Sequence, residues 1–418
     1  MFIRRYFSSA IFIACMAFML RLLILFLTWH SMARDQANSP YGYEAGRIAE
    51  SIASGGGFAS PLASVHTGPT AWLVPIYPYL MAGIFKLWGI FSLRSRFILQ
   101  TLNCAFSALT VFPIYAIAKR TFGLGIACYA AWLWVFLPNA WHIPIADIWD
   151  TSLTALLFIL IFWATLAIRD QRRVFMWAVY GTLWAVGALV NASILSVLPF
   201  FLAWLAWEGW KRQSTSVLLA CIALLTCVLG LMPWTLRNYR IFHKWIPLRS
   251  NFGLELWLGN NPGTDDVNSF SQHPALNSAE ASLFTRLGEL AYMRVKKQEA
   301  LAYIRSHPAE TLARVLHRVA TNWFAVTDRP ESTWSSSPPY VKALSLLNAC
   351  LILSGWFGAV VAFRARNSQA LPYLLVLLIF PLVYYLTHTL VRYRFPIDPL
   401  LAILSVNGVA AVLAWARE

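Results

Sequence analysis

The sequence predicts an all-α polytopic membrane protein of about ten transmembrane helices, with juxtamembrane helices and a helical extracytoplasmic loop region. Three observations carry that prediction. Hydrophobic residues fill 59% of the 418 positions and charged residues only 12%, far from the balance of a soluble domain. Apolar runs of about eighteen residues or more recur along the chain, the length needed to cross a hydrocarbon core. The 20 tryptophans suit the aromatic belts that form where helix ends meet water.

Charge and cysteine usage narrow the class. The net charge is +15, but the basic residues sit in short clusters between apolar runs, so membrane topology and anionic headgroups or phosphates account for them without nucleic acid. All six cysteines lie inside apolar runs with no CxxC spacing, which calls for neither a disulfide framework nor a zinc site. GxxxxGK[ST], a GxGxxG after a strand and HExxH are all missing, so a nucleotide-driven pump or a zinc protease is unsupported.

In chain order, Arg4 and Arg5 precede a run from Phe7 to Trp29 that is too long for a signal peptide and lacks a small-residue cleavage site. It reads as a retained anchor with a cytoplasmic N-terminus, which delivers the first loop, 31–96, to the outside. Arg21 within this span either marks a function, points into the bundle or snorkels. In the loop, Ser39 and Pro40 read as a helix start and Gly55 to Gly57 as its stop. Tyr41, Ala45, Ile48 and Ile52 form an apolar stripe, with Glu44, Arg47 and Glu50 opposite, as in a helix lying on a membrane surface or one with a solvated face. Arg47 follows Glu44 by three positions, close enough to orient its carboxylate. Over 71–91, Pro75, Pro78, Gly83, Lys86 and Gly89 leave a clean apolar stretch too short for a span. Read as re-entrant or juxtamembrane, it keeps Lys119, Arg120, Arg169, Arg172, Arg173, Lys211 and Arg212 in the cytoplasm.

The remaining spans fall near 97–118, 122–139, 148–168, 174–190, 194–210, 215–236, 342–363, 370–389 and 395–415. Outer turns then lie at Asn139 to Trp149, near Asn191 and at Thr389 to Arg394. The chain divides into an N-terminal bundle, 1–236, an extracytoplasmic loop region, 237–340, and C-terminal helices, 341–418. In the loop region the turn signals of Asn260 to Gly263 predict extended pieces, and Asp265 with Asp266 a plain turn. From Pro308, a stripe of Leu312, Leu316, Val319 and Trp323 opposes Arg314, His317 and Arg318, predicting a second interfacial helix. His142, His273, His307 and His388 show no ligand spacing and read as structural.

This topology brings distant ionisable groups to one face: Glu44 and Arg47, Asp147 and Asp150, Arg237 and Asn238, and Arg392, Tyr393 and Arg394. Two arginines two positions apart can address one oxyanion if the backbone is extended. Carboxylates and arginines at the water boundary suit a substrate that is half lipid and half phosphate, such as a polyprenyl-phosphate sugar. One carboxylate base and cations on the departing phosphate would suffice for transfer. Plainer readings stand beside this one: interfacial arginines anchor, and Asp147 and Asp150 precede Thr151 and Ser152, where a cap is expected. A transporter or flippase would hold phosphate with the same cations, but at the midplane of a repeated fold, and no repeat is visible.

Four stretches resemble a known family: YGYEAGRIAESIASGGGF, GPTAWLVPIYPYLMAGIFKLWG, PIYAIAKRTFG and RYRFPIDPLLAI. They resemble the GT-C glycosyltransferases of the protein O-mannosyltransferase and aminoarabinose-transferase (ArnT-like) type, through Asn261 and again from Arg392. The resemblance implies a multi-helix bundle that transfers a sugar from a polyprenyl-phosphate-linked donor to an acceptor outside the cytoplasm, in a bacterial inner or plasma membrane. The acceptor class, protein, lipid or glycan, stays open. The first-loop acid of the family maps onto Glu44 and the second-loop acid onto Asp150. Arg237, Arg392 and Arg394 are then expected on the donor phosphate, supported by Arg47, Asp147 and Tyr393. Many members carry two adjacent acids where this chain has Tyr43 and Glu44. That leaves one candidate base, weakens a metal-bridging role while keeping a divalent cation open, and admits a non-catalytic subunit as an alternative.

Overall fold

Backbone groups in hydrocarbon must be satisfied within their own segment, and the chain answers with helices throughout. The computed structural model describes residues 7–35, 40–62, 67–211, 216–264, 269–326, 337–365 and 367–417; Arg4, Arg5, Ser39, Arg212, Asp265 and Asp266 lie outside them. The N-terminal bundle runs α1 (Ala10–Asp35), α2 (Tyr43–Ala53), α3 (Ile76–Trp88), α4 (Leu93–Leu109), α5 (Val111–Phe122), α6 (Leu124–Phe136), α7 (Pro138–Ala146), α8 (Thr151–Ile168), α9 (Val174–Val190), α10 (Leu198–Lys211) and α11 (Ser216–Phe242). The loop region holds α12 (Phe252–Gly259), α13 (Ser278–Leu287), α14 (Glu289–Ser306) and α15 (Pro308–Phe324). The chain closes with α16 (Pro339–Arg364), α17 (Ala370–Ile379), α18 (Leu382–Leu386) and α19 (Asp398–Trp415). The described residues contain no strand, only an isolated bridge between Ala59 and Pro69.

Among the described residues, 7 helices or helix runs are long and apolar enough to cross a membrane, 8 if α6 and α7, bent by 42°, count as one. The two shorter apolar helices, Val174–Val190 and Ala370–Leu386, occupy the other two positions where the sequence predicts spans. The bend falls at Leu137, extended because Pro138 follows it. It makes α7 a short helix where the sequence suggests an outer turn. Arg21 is fully buried beside this break and donates to the carbonyls of Ala17 and Ala140 at 2.8 Å, to that of Trp134 at 3.2 Å and to Ser107 Oγ at 3.0 Å. Of the readings open for it, the bundle-facing one describes its place: the guanidinium binds carbonyls on both sides of the bend. Elsewhere α16 and α19 meet through small residues, and a Cβ on Gly358 would stand 2.0 Å from the Leu404 carbonyl oxygen.

The first loop folds on itself. α2 starts later than predicted, because Gly42 takes a left-handed φ of 79° and no side chain caps the helix. A Cβ at Gly42 would lie 2.7 Å from Met81 Cε of α3. α2 buries Ala45, Gly46, Ile48 and Ala49 and packs on α3. The 13 residues of α3 rise only about 20 Å against a core of about 30 Å. Arg47 does not orient Glu44; it turns one step the other way and pairs with Glu50 at 3.0 Å.

The loop region departs from the prediction in one way. Where extended pieces were expected, α11 runs on to Phe242 and α12 is helical, seating Leu254, Trp257 and Leu258 in one cluster with Tyr292, Met293 and Ala300 of α14. α15 meets the protein through Arg314, Arg318 and Trp323. Arg314 donates to the Asn261 carbonyl at 3.0 Å and Arg318 to those of Tyr385, at 3.2 Å, and Gly259. Leu312 and Leu316 stay 59% and 61% exposed, an orientation that suits an apolar face turned to lipid.

One buried carboxylate joins loop and loop region. Glu289, at the start of α14, accepts hydrogen bonds from Thr70 Oγ1, from the Ala71 N–H at 2.9 Å and from Ser250 Oγ at 2.6 Å. Glu289→Ala is expected to leave three donors unmet and lower stability by about 3 kcal/mol, read as a lower unfolding midpoint in detergent; an unchanged midpoint would show that the junction is held by other contacts.

Candidate active site

A cavity of about 280 Å³ opens where the first loop, the loop region and the helix ends converge, and Glu44, Asp150, Arg249, Glu255, His273, His388 and Arg392 line it. Each arrives by a local rule. Glu44 stands in the first turn of α2, beside the buried Ala45. Asp150 occupies the cap position of α8, yet its side chain makes no cap bond. Instead Asp150 Oδ2 accepts from Asn191 Nδ2 at 3.1 Å, and Asn191 is in turn fixed by Ser193, whose N–H donates to its Oδ1 at 3.0 Å. Arg392 lies in a single 3₁₀ turn, Val391–Tyr393, 3.7 Å from Asp147. Its guanidinium rests over the rings of Tyr43, at 5.1 Å, and Trp149, at 5.5 Å.

That turn corrects the expectation of a paired anion clamp. With about three residues per 3₁₀ turn, positions two apart point to different sides. Arg394 therefore faces inward, 1% exposed. It donates to Asp398 Oδ1 and Asn348 Oδ1, both at 2.8 Å, and to the carbonyls of Asn322 and Trp323. Arg237 also stays off the cavity: it donates to the carbonyls of Thr70 at 2.6 Å and Phe58 at 2.9 Å and so braces the first loop. Asp147 does not line the cavity either and reaches it only through Arg392. Tyr393 does line it, stacked on Tyr384 with centroids 4.7 Å apart.

Several lining groups escaped the sequence reading. Arg249 donates to Glu255 at 2.9 Å and to Asn251. Glu255 lies 3.3 Å from His388 Nδ1, and His388 Nε2 is 3.0 Å from the Tyr393 hydroxyl. Glu44 Oε1 lies 3.2 Å from His273 Nε2. The spacing of Arg249, Asn251 and Glu255 inside a largely apolar stretch was the available signal. The two histidines offered none, since their carboxylate partners are remote in sequence.

Burial pushes the Asp150 carboxyl up to about 7, against the opposing pull of Arg249, Arg392 and the Asn191 amide. Burial also lowers His388, with Glu255 acting in the other direction. The divalent cation left open above finds no fitting ligand set: among the described residues, no group of three His, Cys, Asp or Glu side chains could hold a metal.

No family model and no curated protein matches the sequence. Solved structures do match. The apo oligosaccharyltransferase of Archaeoglobus fulgidus superposes with a TM-score of 0.60 at 16% identity, over 97% of this chain and 51% of that one. The AglB oligosaccharyltransferase of the same organism, in complex with an inhibitory peptide and a dolichol-phosphate, gives 0.56 at 14% identity, over 98% and 50%. ArnT from Cupriavidus metallidurans bound to undecaprenyl phosphate gives 0.36 at 14%, over 96% and 79%, a score that carries no argument. The chain thus shares the fold of the Archaeoglobus fulgidus oligosaccharyltransferase over nearly its whole length. The particular structures that show it are those of AglB, and the chain spans about half their length.

Because Arg394 is part of a buried ion pair, Arg394→Met is expected to destabilise the fold by about 3 kcal/mol or more, seen as a lower unfolding midpoint. A variant of unchanged midpoint that loses only phosphate-lipid affinity would return Arg394 to the site.

Proposed function

We propose that the protein is an inverting membrane glycosyltransferase that moves a sugar from a polyprenyl-phosphate donor to an acceptor at the extracytoplasmic boundary of the membrane. The observation that carries this reading is the cavity itself, which gathers Glu44, Asp150 and Arg392 from three remote parts of the chain at the ends of apolar helices. The placement at helix ends, rather than at the middle of broken spans, favours an enzyme over a transporter.

In this reaction the acceptor gives its proton to the Glu44 carboxylate while its oxygen or nitrogen forms the new bond to the anomeric carbon. The bond from that carbon to the phosphate oxygen breaks, and its electron pair leaves on the polyprenyl phosphate. A phosphate leaving group needs no proton from a general acid of the glycosidase kind. Arg392, which lines the cavity, stabilises the departing charge as a charge-assisted donor to the phosphate. Arg249, anchored by Glu255 and Asn251, adds positive potential within the same cavity. Asp150, ionised, accepts a second hydrogen bond from the acceptor. The membrane lipid, the lipid-linked donor and a protein, lipid or glycan acceptor are the partners this reading calls for.

The test is turnover of the purified protein in lipid nanodiscs with a panel of synthetic polyprenyl-phosphate hexoses and pentoses, read as release of polyprenyl phosphate. Glu44→Gln is expected to lower kcat by about 10² to 10⁴ with little change in donor KM, and Arg392→Ala to raise donor KM. A fully active Glu44→Gln protein would refute the mechanism. The pH profile supplies a second check. With Asp150 titrating at about 7, its carboxylate is lost as pH falls below that value, so transfer should rise on going from about pH 6 to 8. Asp150→Asn should flatten that limb, and a wild-type profile already flat there would exclude the role.

A further inference from the structure

We infer that His273, in the loop region, is a positioning residue for Glu44: a neutral imidazole whose Nε2–H holds the carboxylate aimed into the cavity. The inference rests on the glycosyl-transfer reading and assigns to that reaction a residue the sequence marks only as structural. The proton on the ring is placed by the other nitrogen. The backbone N–H of Ala275 donates to His273 Nδ1 at 3.1 Å, so Nδ1 offers its lone pair and the single ring proton sits on Nε2. Nε2 lies 3.2 Å from Glu44 Oε1. An imidazolium would turn a second N–H against the Ala275 amide, so the turn accommodates the neutral ring.

The donor is held as firmly as its proton. The His273 carbonyl accepts the N–H groups of Leu276 at 2.8 Å and Asn277 at 2.9 Å, which locks the turn. The ring is 6% exposed and stands edge-on to Trp72 with centroids 5.7 Å apart. Trp72 itself follows the Thr70 and Ala71 groups bound by Glu289. A carboxylate in the first turn of a short surface helix would otherwise sample several rotamers. One hydrogen bond to Oε1 selects one of them and leaves Oε2 to take the acceptor proton. Half of the base is therefore carried by a segment more than two hundred positions away from it.

Two substitutions separate donation from packing. His273→Phe keeps an aromatic ring beside Trp72 and removes the donor, whereas His273→Gln loses the ring and returns an amide N–H near the position of Nε2. Measured in nanodiscs with the same donor panel, His273→Phe should lower kcat by about tenfold to a hundredfold with donor KM within about twofold, and His273→Gln should recover most of the loss. Unfolding midpoints confirm that both proteins are folded. A fully active His273→Phe, or a His273→Gln no better than it, overturns the inference. Glu44→Gln run alongside tells the two readings apart: if it is inactive while His273→Phe is active, only the role of His273 fails, and if it is active, the transfer mechanism fails and takes that role with it.

Discussion

The site depends on the hydrogen bonds that meet at Glu289. Its carboxylate takes Thr70 and Ala71 from the first loop and Ser250 from the loop region, and a backbone bond from the Ser250 N–H to the Ala71 carbonyl at 2.8 Å closes the same junction. The next residues on each segment of this junction, Trp72 on one side and Arg249 and Asn251 on the other, line the cavity. Arg237 adds a brace from α11 to the carbonyls of Phe58 and Thr70. A carboxylate that is 9% exposed is costly to bury unless its acceptors are filled, so the junction is worth keeping only with all its donors in place. That requirement sets two walls of the cavity in register before any side chain in it acts.

Within the cavity, burial and charge work against each other to useful effect. Asp150 lies deep enough for desolvation to dominate, while Arg249 and Arg392 keep its ionisation within reach of neutral pH. The arginines divide by the same logic. Arg394 has its donors engaged by Asp398, Asn348 and two carbonyls and faces away from the cavity, whereas Arg392 lines the cavity between the aromatic faces of Tyr43 and Trp149.

The positions of the apolar helices were readable because span length and hydrophobicity are properties of contiguous residues; even the shortness of α3 follows from its prolines and glycines. What depends on one distant partner was not readable. The start of α2 shifted because Gly42, packed against Met81, takes a conformation that no cap rule anticipates. Arg47 chose Glu50 over Glu44, both at helical spacing. The reading of α15 as an interfacial helix could not say what its arginines bind, because the carbonyls of Asn261, Gly259 and Tyr385 that receive them are supplied only by the fold. Of the residues that line the cavity, Glu44, Asp150, Arg392 and Tyr393 were singled out from composition at helix ends and from family resemblance. His273 and His388 were not, since a histidine joins such a cavity only through the carboxylate beside it, here Glu44 and Glu255.

The most direct measurement is a structure of the protein determined with a non-transferable polyprenyl-phosphonate sugar in a lipid nanodisc. The account predicts the phosphonate within hydrogen-bonding distance of the Arg392 guanidinium, with the sugar inside the cavity and its anomeric carbon facing Glu44. A phosphonate seated instead at Arg237, among the basic residues near Arg169, or at the middle of the helical bundle would contradict it.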